Sequence, residues 1–194
     1  TKPIGHLGPT ARRARGLCAV PEERNGHAAV ADLTLALNGA LTARRRMGFV
    51  SGGLINMGRA KGYAAKVIGA FSVKALGHQS TAGSLSGGNL QKFIMGREIL
   101  QEPAAIAVSQ PTWGVDAGAA SRIRQALVDL ARAGSGVLVI SQDLDEIFEV
   151  ATHIAVISEG RLSKAYPAQD LNREKIGLLM GGMHDSAKEA AHAH

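Results

Sequence analysis

The feature that most constrains this chain is an alternation of element types beyond residue 103. Ala104 to Val108 is a short apolar run, Ile123, Leu127 and Leu130 recur at helical spacing ahead of Gly134, and Val137 to Ile140 is a second apolar run. Short runs rich in Val and Ile, with no polar alternation, read as strands buried on both faces. Strand, helix and strand in succession need a crossover, which implies a parallel sheet with right-handed connections and an α/β fold. Asp143, Asp145 and Glu146 open another short helix, where their charge suits the positive end of the dipole. Ile154 to Ile157 is expected as a third strand, and Glu159 and Gly160 turn the chain into Leu162 to Tyr166.

Upstream, Gly16 to Val20 is an apolar run ended by Pro21, with Glu22, Glu23 and Arg24 following, which reads as a strand entering a loop. From Asp32 to about Ser80 the chain is rich in Ala, Leu, Met and Gly without strict alternation, so a helical subdomain is expected there. After Ser86, residues Leu90, Phe93, Ile94, Arg97 and Leu100 mark one helical face, with Gln91, Lys92 and Glu98 falling elsewhere. That pattern predicts an amphipathic helix with Ser86 as its N-cap. Beyond Met183 the sequence HDSAKEAAHAH has no periodic core residues and is expected to be a mobile tail, residues 184–194, with its histidines solvated rather than metal-bound.

Composition narrows the functional classes. A length of 194 residues suits one domain with a small subdomain. The formal charge is +6, but aromatics are only 4%, which disfavours a nucleic-acid surface built on stacked bases. A solvated basic face is the plainer account of the charge. Cys18 is the single cysteine, so there is no internal disulfide and no cysteine-based zinc site, and a reducing cytosol is expected. No apolar run approaches the roughly 20 residues of a spanning helix. The basic start, Thr1 to Arg15, lacks the apolar core of a signal peptide.

The most specific stretch is Leu85, Ser86, Gly87, Gly88 and Asn89, followed by Gln91 and Lys92 at a helix start. Two glycines let a ligand approach the backbone, Ser86 offers a hydroxyl, and the free N–H groups of the first turn point at whatever sits there. Such a site suits a phosphate, although a glycine-rich helix entry is more often only a turn. LSGGN followed by QK resembles the signature motif of ABC transporter ATPases. Pro111 to Asp116, PTWGVD, resembles the stretch that holds the D-loop, and Ile140 to Glu146, ISQDLDE, resembles the switch-loop stretch. Val20 to Arg24, VPEER, looks like the Q-loop in the second nucleotide-binding half of importers for sugars and nucleosides, which fuse two ATPase halves in one polypeptide. The resemblance runs from about Ile4 to Met183. Trp113 read alone is a packing side chain beside this stretch, and Asp145 and Glu146 read alone are helix starters.

The departures from the pattern are equally informative. No G-x-x-x-x-G-K-[ST] phosphate loop occurs in the chain. In the family this loop precedes the Q-loop, so it is expected upstream of Thr1. Where the family has an acidic pair before the D-loop, this sequence has Ser109 at the magnesium-serving position and Gln110 at the catalytic glutamate position. A hydroxyl supplies no charge to a metal, and an amide cannot take a proton from water. Gln142 stands where the switch loop normally offers histidine, and Glu22 stands at the metal-contacting Q-loop position.

The resemblance therefore implies a P-loop NTPase (ABC ATPase) fold fragment, a parallel sheet flanked by helices with an inserted helical subdomain. The expected divisions are 1–20, the core before the Q-loop; 21–84, the Q-loop and helical subdomain; and 85–183, the signature helix through the switch loop. It implies ATP and Mg²⁺ as cofactors. It implies an asymmetric pair, in which Leu85, Ser86, Gly87, Gly88, Asn89 and Gln91 cover ATP held by a partner half while the chain's own hydrolytic site is degenerate, with Asp116 coupling the two. Permease subunits, and indirectly a solute-binding protein, are the implied further partners, at the cytoplasmic face of a membrane and with no nucleic acid. By itself the chain is expected to be inactive. A soluble ABC protein acting on RNA or ribosomes is the alternative, weakened by the lost acidic pair.

Overall fold

The structure, a computed structural model, describes residues 3–44 and 46–182. The tail expected at residues 184–194 lies outside the described residues. Contacts divide the chain into two compact units, Thr1–Gln142 and Asp143–His194.

In chain order the first unit runs α1 (Pro9–Ala14), β1 (Leu17–Val20), α2 (Leu35–Ala43), β2 (Val50–Ser51), β3 (Leu54–Ile55), α3 (Met57–Ala70), α4 (Gly87–Ile99), β4 (Ala105–Ser109), α5 (Ala117–Arg132) and β5 (Gly136–Ile140). Its sheet is three-stranded and parallel in the order β1-β4-β5, with Leu17 opposite Ala105 and Ala105 opposite Gly136. Successive side chains in a strand point to opposite faces. Cys18, Val20, Ile106 and Val108 are therefore buried on one face, and Val137 and Val139 pack against the same core. Helix α5 adds Ile123, Leu127 and Leu130 to that core. Each such aliphatic side chain stabilises the fold by about 1.5–3 kcal/mol relative to exposure. Gly134, with φ of 96°, turns the chain out of α5, and the Ser135 N–H returns to the Leu130 carbonyl at 3.0 Å.

Strand β5 corrects one expectation. It is not buried on both faces, since Leu138 and Ile140 are 58% and 54% exposed. The cause is position: among the described residues β5 is paired only with β4 and lies at the edge of the sheet.

Helix α4 corrects another. It is not amphipathic, because every residue from Leu90 to Ile99 is buried, including Gln91, Lys92, Arg97 and Glu98. A helix buried on all sides can keep polar residues only if they are bonded inside. Arg97 donates from Nε to Glu98 Oε1 at 2.8 Å and from Nη2 to the Ala28 carbonyl at 2.8 Å. Arg13 of α1 reaches Glu98 Oε2 at 2.9 Å, and Gln101 Nε2 donates to the same oxygen at 3.3 Å. Burial pushes the Glu98 carboxyl up, but Arg97 and Arg13 outweigh it and hold the group below its ordinary range.

The expected helical region is present as α2 and α3, packed on each other through small residues. A Cβ on Gly39 would lie 3.3 Å from the Tyr63 ring, so the close contact favours glycine. Thr34 caps α2 and Asn56 caps α3 through their side-chain oxygens. Between these helices stands an unanticipated hairpin, β2 with β3. Its turn residues Gly52 and Gly53 have φ of 58° and 82°, the paired positive values that a two-residue hairpin favours.

The second unit contains α6 (Leu144–Val150), β6 (His153–Ile154), β7 (Ile157–Ser158), β8 (Arg161–Leu162), β9 (Tyr166–Pro167) and α7 (Arg173–Met180) around Ile154, Val156, Leu171, Ile176 and Leu179. The third parallel strand expected at Ile154 to Ile157 is not formed. That run divides, with β6 pairing antiparallel to β9 and β7 antiparallel to β8. Glu159 and Gly160, with φ of 50° and 76°, fold the chain back after Ser158 and commit the run to local pairing. Asp143 caps α6, accepting from the N–H groups of Asp145 and Glu146.

Candidate functional site: the entry to α4 and the carboxyl ends of the strands

In a parallel sheet the carboxyl ends of the strands collect the loops that bind ligands. Here those ends are followed by Pro21 and Glu22 after β1, by Gln110 after Ser109 closes β4, and by Ser141 and Gln142 after β5. The register sets Ser109 beside Ile140, and the Gln110 N–H donates to the Ile140 carbonyl at 2.8 Å. Gln110 has φ of 49°, a left-handed backbone that ends the strand sharply, and its Oε1 is 3.5 Å from Ser141 Oγ. Glu22 and Gln142 are exposed.

The second element is the entry to α4. Leu85 is half-buried against the core, and Ser86 occupies the N-cap position. The hydroxyl does not cap the helix as expected. It accepts from Asn89 Nδ2 at 2.9 Å, while Asn89 Oδ1 accepts from the Lys74 N–H at 2.9 Å. Asn89 thereby pins Ser86 to the segment ahead of it and leaves the first-turn N–H groups of this 13-residue helix without a side-chain cap. Gly88 is required by space, while Gly87 meets only the end of a flexible side chain. A Cβ on Gly88 would lie 2.5 Å from the Gly114 carbonyl oxygen, and one on Gly87 would meet Arg24 Nη1 at 2.8 Å.

Gln91 departs from its expected role as a ligand contact. It is 2% exposed and donates from Nε2 to the carbonyls of Pro111 at 2.9 Å and Gln110 at 3.3 Å. It positions the turn after β4, and through that turn the α4 entry and the strand ends are held together.

Two residues that sequence reasoning passed over complete the arrangement. Arg24 donates from Nη2 to the Trp113 carbonyl at 2.6 Å, and its guanidinium stands 5.1 Å from the Trp113 ring centroid. It joins the loop after β1 to the 111–116 turn. Its place directly after two glutamates was the available signal, and it reads as ordinary loop charge. Lys92, buried one residue past Gln91, reaches the Ser72 carbonyl at 3.3 Å and Asp116 Oδ2 at 3.8 Å. Asp116 is exposed and caps α5, accepting the Ala119 N–H at 2.9 Å. That bond, together with the Lys92 charge, holds its carboxyl below the ordinary range.

The chemistry of the donors separates the two places. At the ends of β4 and β5 stand hydroxyls and amides, Ser109, Gln110, Ser141 and Gln142, with the exposed Glu22 the carboxylate at the expected metal-contacting positions. Such a set does not fit a divalent cation, which is held chiefly by carboxylates. The α4 entry, with uncapped N–H groups, two glycines and a pinned hydroxyl, fits an anion.

Comparison with known proteins bears on the fold and on the chain's relatives. No protein-family model matches the chain. Its fold is that of an ABC ATPase cassette, a P-loop NTPase: the solved dimeric structure of the ATP-binding cassette MJ0796 in a post-hydrolysis state with ADP and Pi superposes with a TM-score of 0.67 at 21% identity, covering 82% of this chain and 66% of that one. The chain is a homologue of sugar and nucleoside import ATP-binding proteins. It is 40% identical to a glucose import ATP-binding protein, TsgD13, of Haloferax volcanii over 90% of its length, and 33% identical to a guanosine import ATP-binding protein, NupO, of Bacillus subtilis over 100% of its length. A ribose import ATP-binding protein, RbsA 2, of Rubrobacter xylanophilus is 33% identical over 94% of the chain. The chain spans 32%, 38% and 35% of these relatives, roughly a third of their length.

Proposed function

We propose that this chain is part of the ATP-binding component of an ABC importer for a sugar or nucleoside, acting with a partner nucleotide-binding half and with permease subunits. In this reading Ser86, Gly87, Gly88 and Asn89 close over the phosphates of ATP bound by the partner half. The observation that carries it is the α4 entry, whose N–H groups are uncapped and whose position is fixed by the Gly88–Gly114 approach. ATP supplies the energy of transport in such proteins. This chain's residues would bind and orient its phosphates and exclude water from them. Leu85 would anchor the loop to the core, and Asp116 and Lys92 would couple the 111–116 turn to α4.

The chain's own strand ends are the degenerate half of the pair. Ser109 and Gln110 offer neither a metal carboxylate nor a proton acceptor, and Gln142 cannot act as a base. No step through Mg²⁺ is assigned to these residues. The bare side chains of Leu138 and Ile140 lie on one face of β5 and suit cover by a further element packed on that face.

The test is made in that longer polypeptide, reconstituted with its permease. Ser86→Arg is expected to lower ATP turnover about 100-fold, as loss of oxyanion-type donors does, while Gln110→Asn leaves turnover unchanged. Undiminished turnover in the Ser86 variant would overturn the assignment in trans. The 194-residue chain alone is expected to release no phosphate from ATP.

A further inference from the structure

Away from the α4 entry, a cavity of about 220 Å³ opens between α1 and α2. Thr10 and Arg13 contribute to it from one side, and Leu41, Thr42, Arg44 and Arg46 from the other. Three arginines and two threonines are among the residues that line this space, and no acidic residue lines it. We propose that it is a binding site for a small phosphate ester, of the size of a phosphorylated sugar and smaller than a nucleotide.

The charge balance carries the argument. Behind the cavity, Arg13 is bonded to Glu98, but that carboxylate is shared with Arg97, so one negative charge serves two guanidiniums. Arg46 donates to the neutral Glu102 carbonyl at 3.0 Å, which offsets none of its charge. Arg44 follows α2 directly, is exposed, and has no bonding partner among the described residues. The cavity wall therefore carries a positive excess with donors in place. Planar guanidinium forks match phosphate oxygens in pairs, which an ammonium cannot do.

One hydroxyl fits the same ligand. Thr42 Oγ1 accepts from Gln101 Nε2 at 3.2 Å and its O–H is bonded to the Glu98 carboxylate, which leaves Thr10 as the hydroxyl that can donate into the cavity. Leu41 and Pro9 give the cavity an apolar part against which a carbon skeleton can lie. Size sets the upper limit, since about 220 Å³ is below the roughly 300 Å³ at which drug-sized pockets begin. Inorganic phosphate would fill only part of it, and a nucleoside phosphate would exceed it.

This site is independent of the α4 entry, and its test is separable from that of the proposed function. Glucose 6-phosphate, inorganic phosphate and AMP are titrated against the 194-residue chain at constant ionic strength in chloride, followed by ³¹P NMR line broadening and by thermal unfolding. Saturable binding of glucose 6-phosphate, tighter than inorganic phosphate and AMP by about tenfold, is expected. Arg44→Ala is expected to weaken it at least about tenfold, the loss of one charge-assisted pair. Arg132→Ala on α5 and Ser86→Arg are expected to leave it intact. Line broadening needs no cooperative melting transition, so it decides even if unfolding is broad. Linear, non-saturable broadening, an equal response to AMP, or an Arg44 variant that binds as well as wild type would each overturn the proposal.

Discussion

The two regions that meet at the 111–116 turn, the α4 entry and the ends of β4 and β5, are held in place by different means. The α4 entry is fixed by space and by bonds: Gly88 against Gly114, Asn89 holding Ser86, Gln91 holding the Gln110 and Pro111 carbonyls. The ends of β4 and β5, which the 111–116 turn and the start of the switch stretch follow, carry the hydroxyls and amides of Ser109, Gln110, Ser141 and Gln142, which neither ionise nor take up a proton at neutral pH. Scaffold and chemistry are thus separable. The same turn that positions Asp116 is preceded by Ser109 and Gln110, with Ser109 in register opposite Ile140 of β5.

If that contrast is sound, substitutions on the α4 side should be costly and those at the strand ends cheap. The largest effect is expected from Glu98→Ala, which strands the buried Arg97 and unpairs the half-buried Arg13, and should destabilise the chain by about 3–5 kcal/mol in urea unfolding. The pH dependence of the same group adds a second reading. Its folded carboxyl titrates below the unfolded value of about 4.3, so its contribution is complete above that pH and is lost as pH falls through the folded value. Acidification from about pH 5 to 3 should therefore destabilise wild type more than Glu98→Gln, measured by the urea midpoint at each pH.

Next comes Gly88→Ala, whose Cβ meets backbone rather than a flexible side-chain end, with an expected loss of about 1–3 kcal/mol by the same measurement. Arg24→Ala removes the bond to the Trp113 carbonyl and the stacking on its ring, for about 1 kcal/mol. The smallest effect belongs to Gln110→Asn, which keeps a residue tolerant of positive φ and should change stability by less than about 0.5 kcal/mol. A strand-end substitution as damaging as Gly88→Ala would erase the distinction.

The helices and strands of the first unit were largely legible, and the reason is periodicity. Ile123, Leu127 and Leu130 announce α5, and the apolar runs announce β1, β4 and β5. The motif LSGGN likewise placed the α4 entry correctly in the chain. What sequence could not convey was burial that depends on neighbours far along it. Gln91, Lys92 and Glu98 fall off the apolar face in the sequence because hydropathy does not see the Ser72 carbonyl that receives Lys92, the Gln110 and Pro111 carbonyls that receive Gln91, or the Arg97 and Arg13 guanidiniums that donate to Glu98. The hairpins of β2 with β3 and of β7 with β8 rest on only two residues per strand, below the length at which alternation is detectable. Arg24 stands in the VPEER stretch, but nothing there shows its bond to Trp113, 89 residues away in the chain.

The pairing of β1 with β4 also bears on how the protein is made. Leu17 and Ala105 are 88 residues apart in the chain, so β1 leaves the ribosome long before its partner strand exists. At synthesis rates of roughly 5–20 residues per second the delay is on the order of 4–18 s. During that interval α2 and α3, whose contacts are close in sequence, can fold, while the Cys18 thiol lies open to solvent. Once β4 docks, burial pushes that thiol up to about 12, far from its reactive thiolate form. A thiol reagent supplied during translation would therefore mark the nascent chain and spare the finished one, making Cys18 a clock for the moment at which the sheet closes.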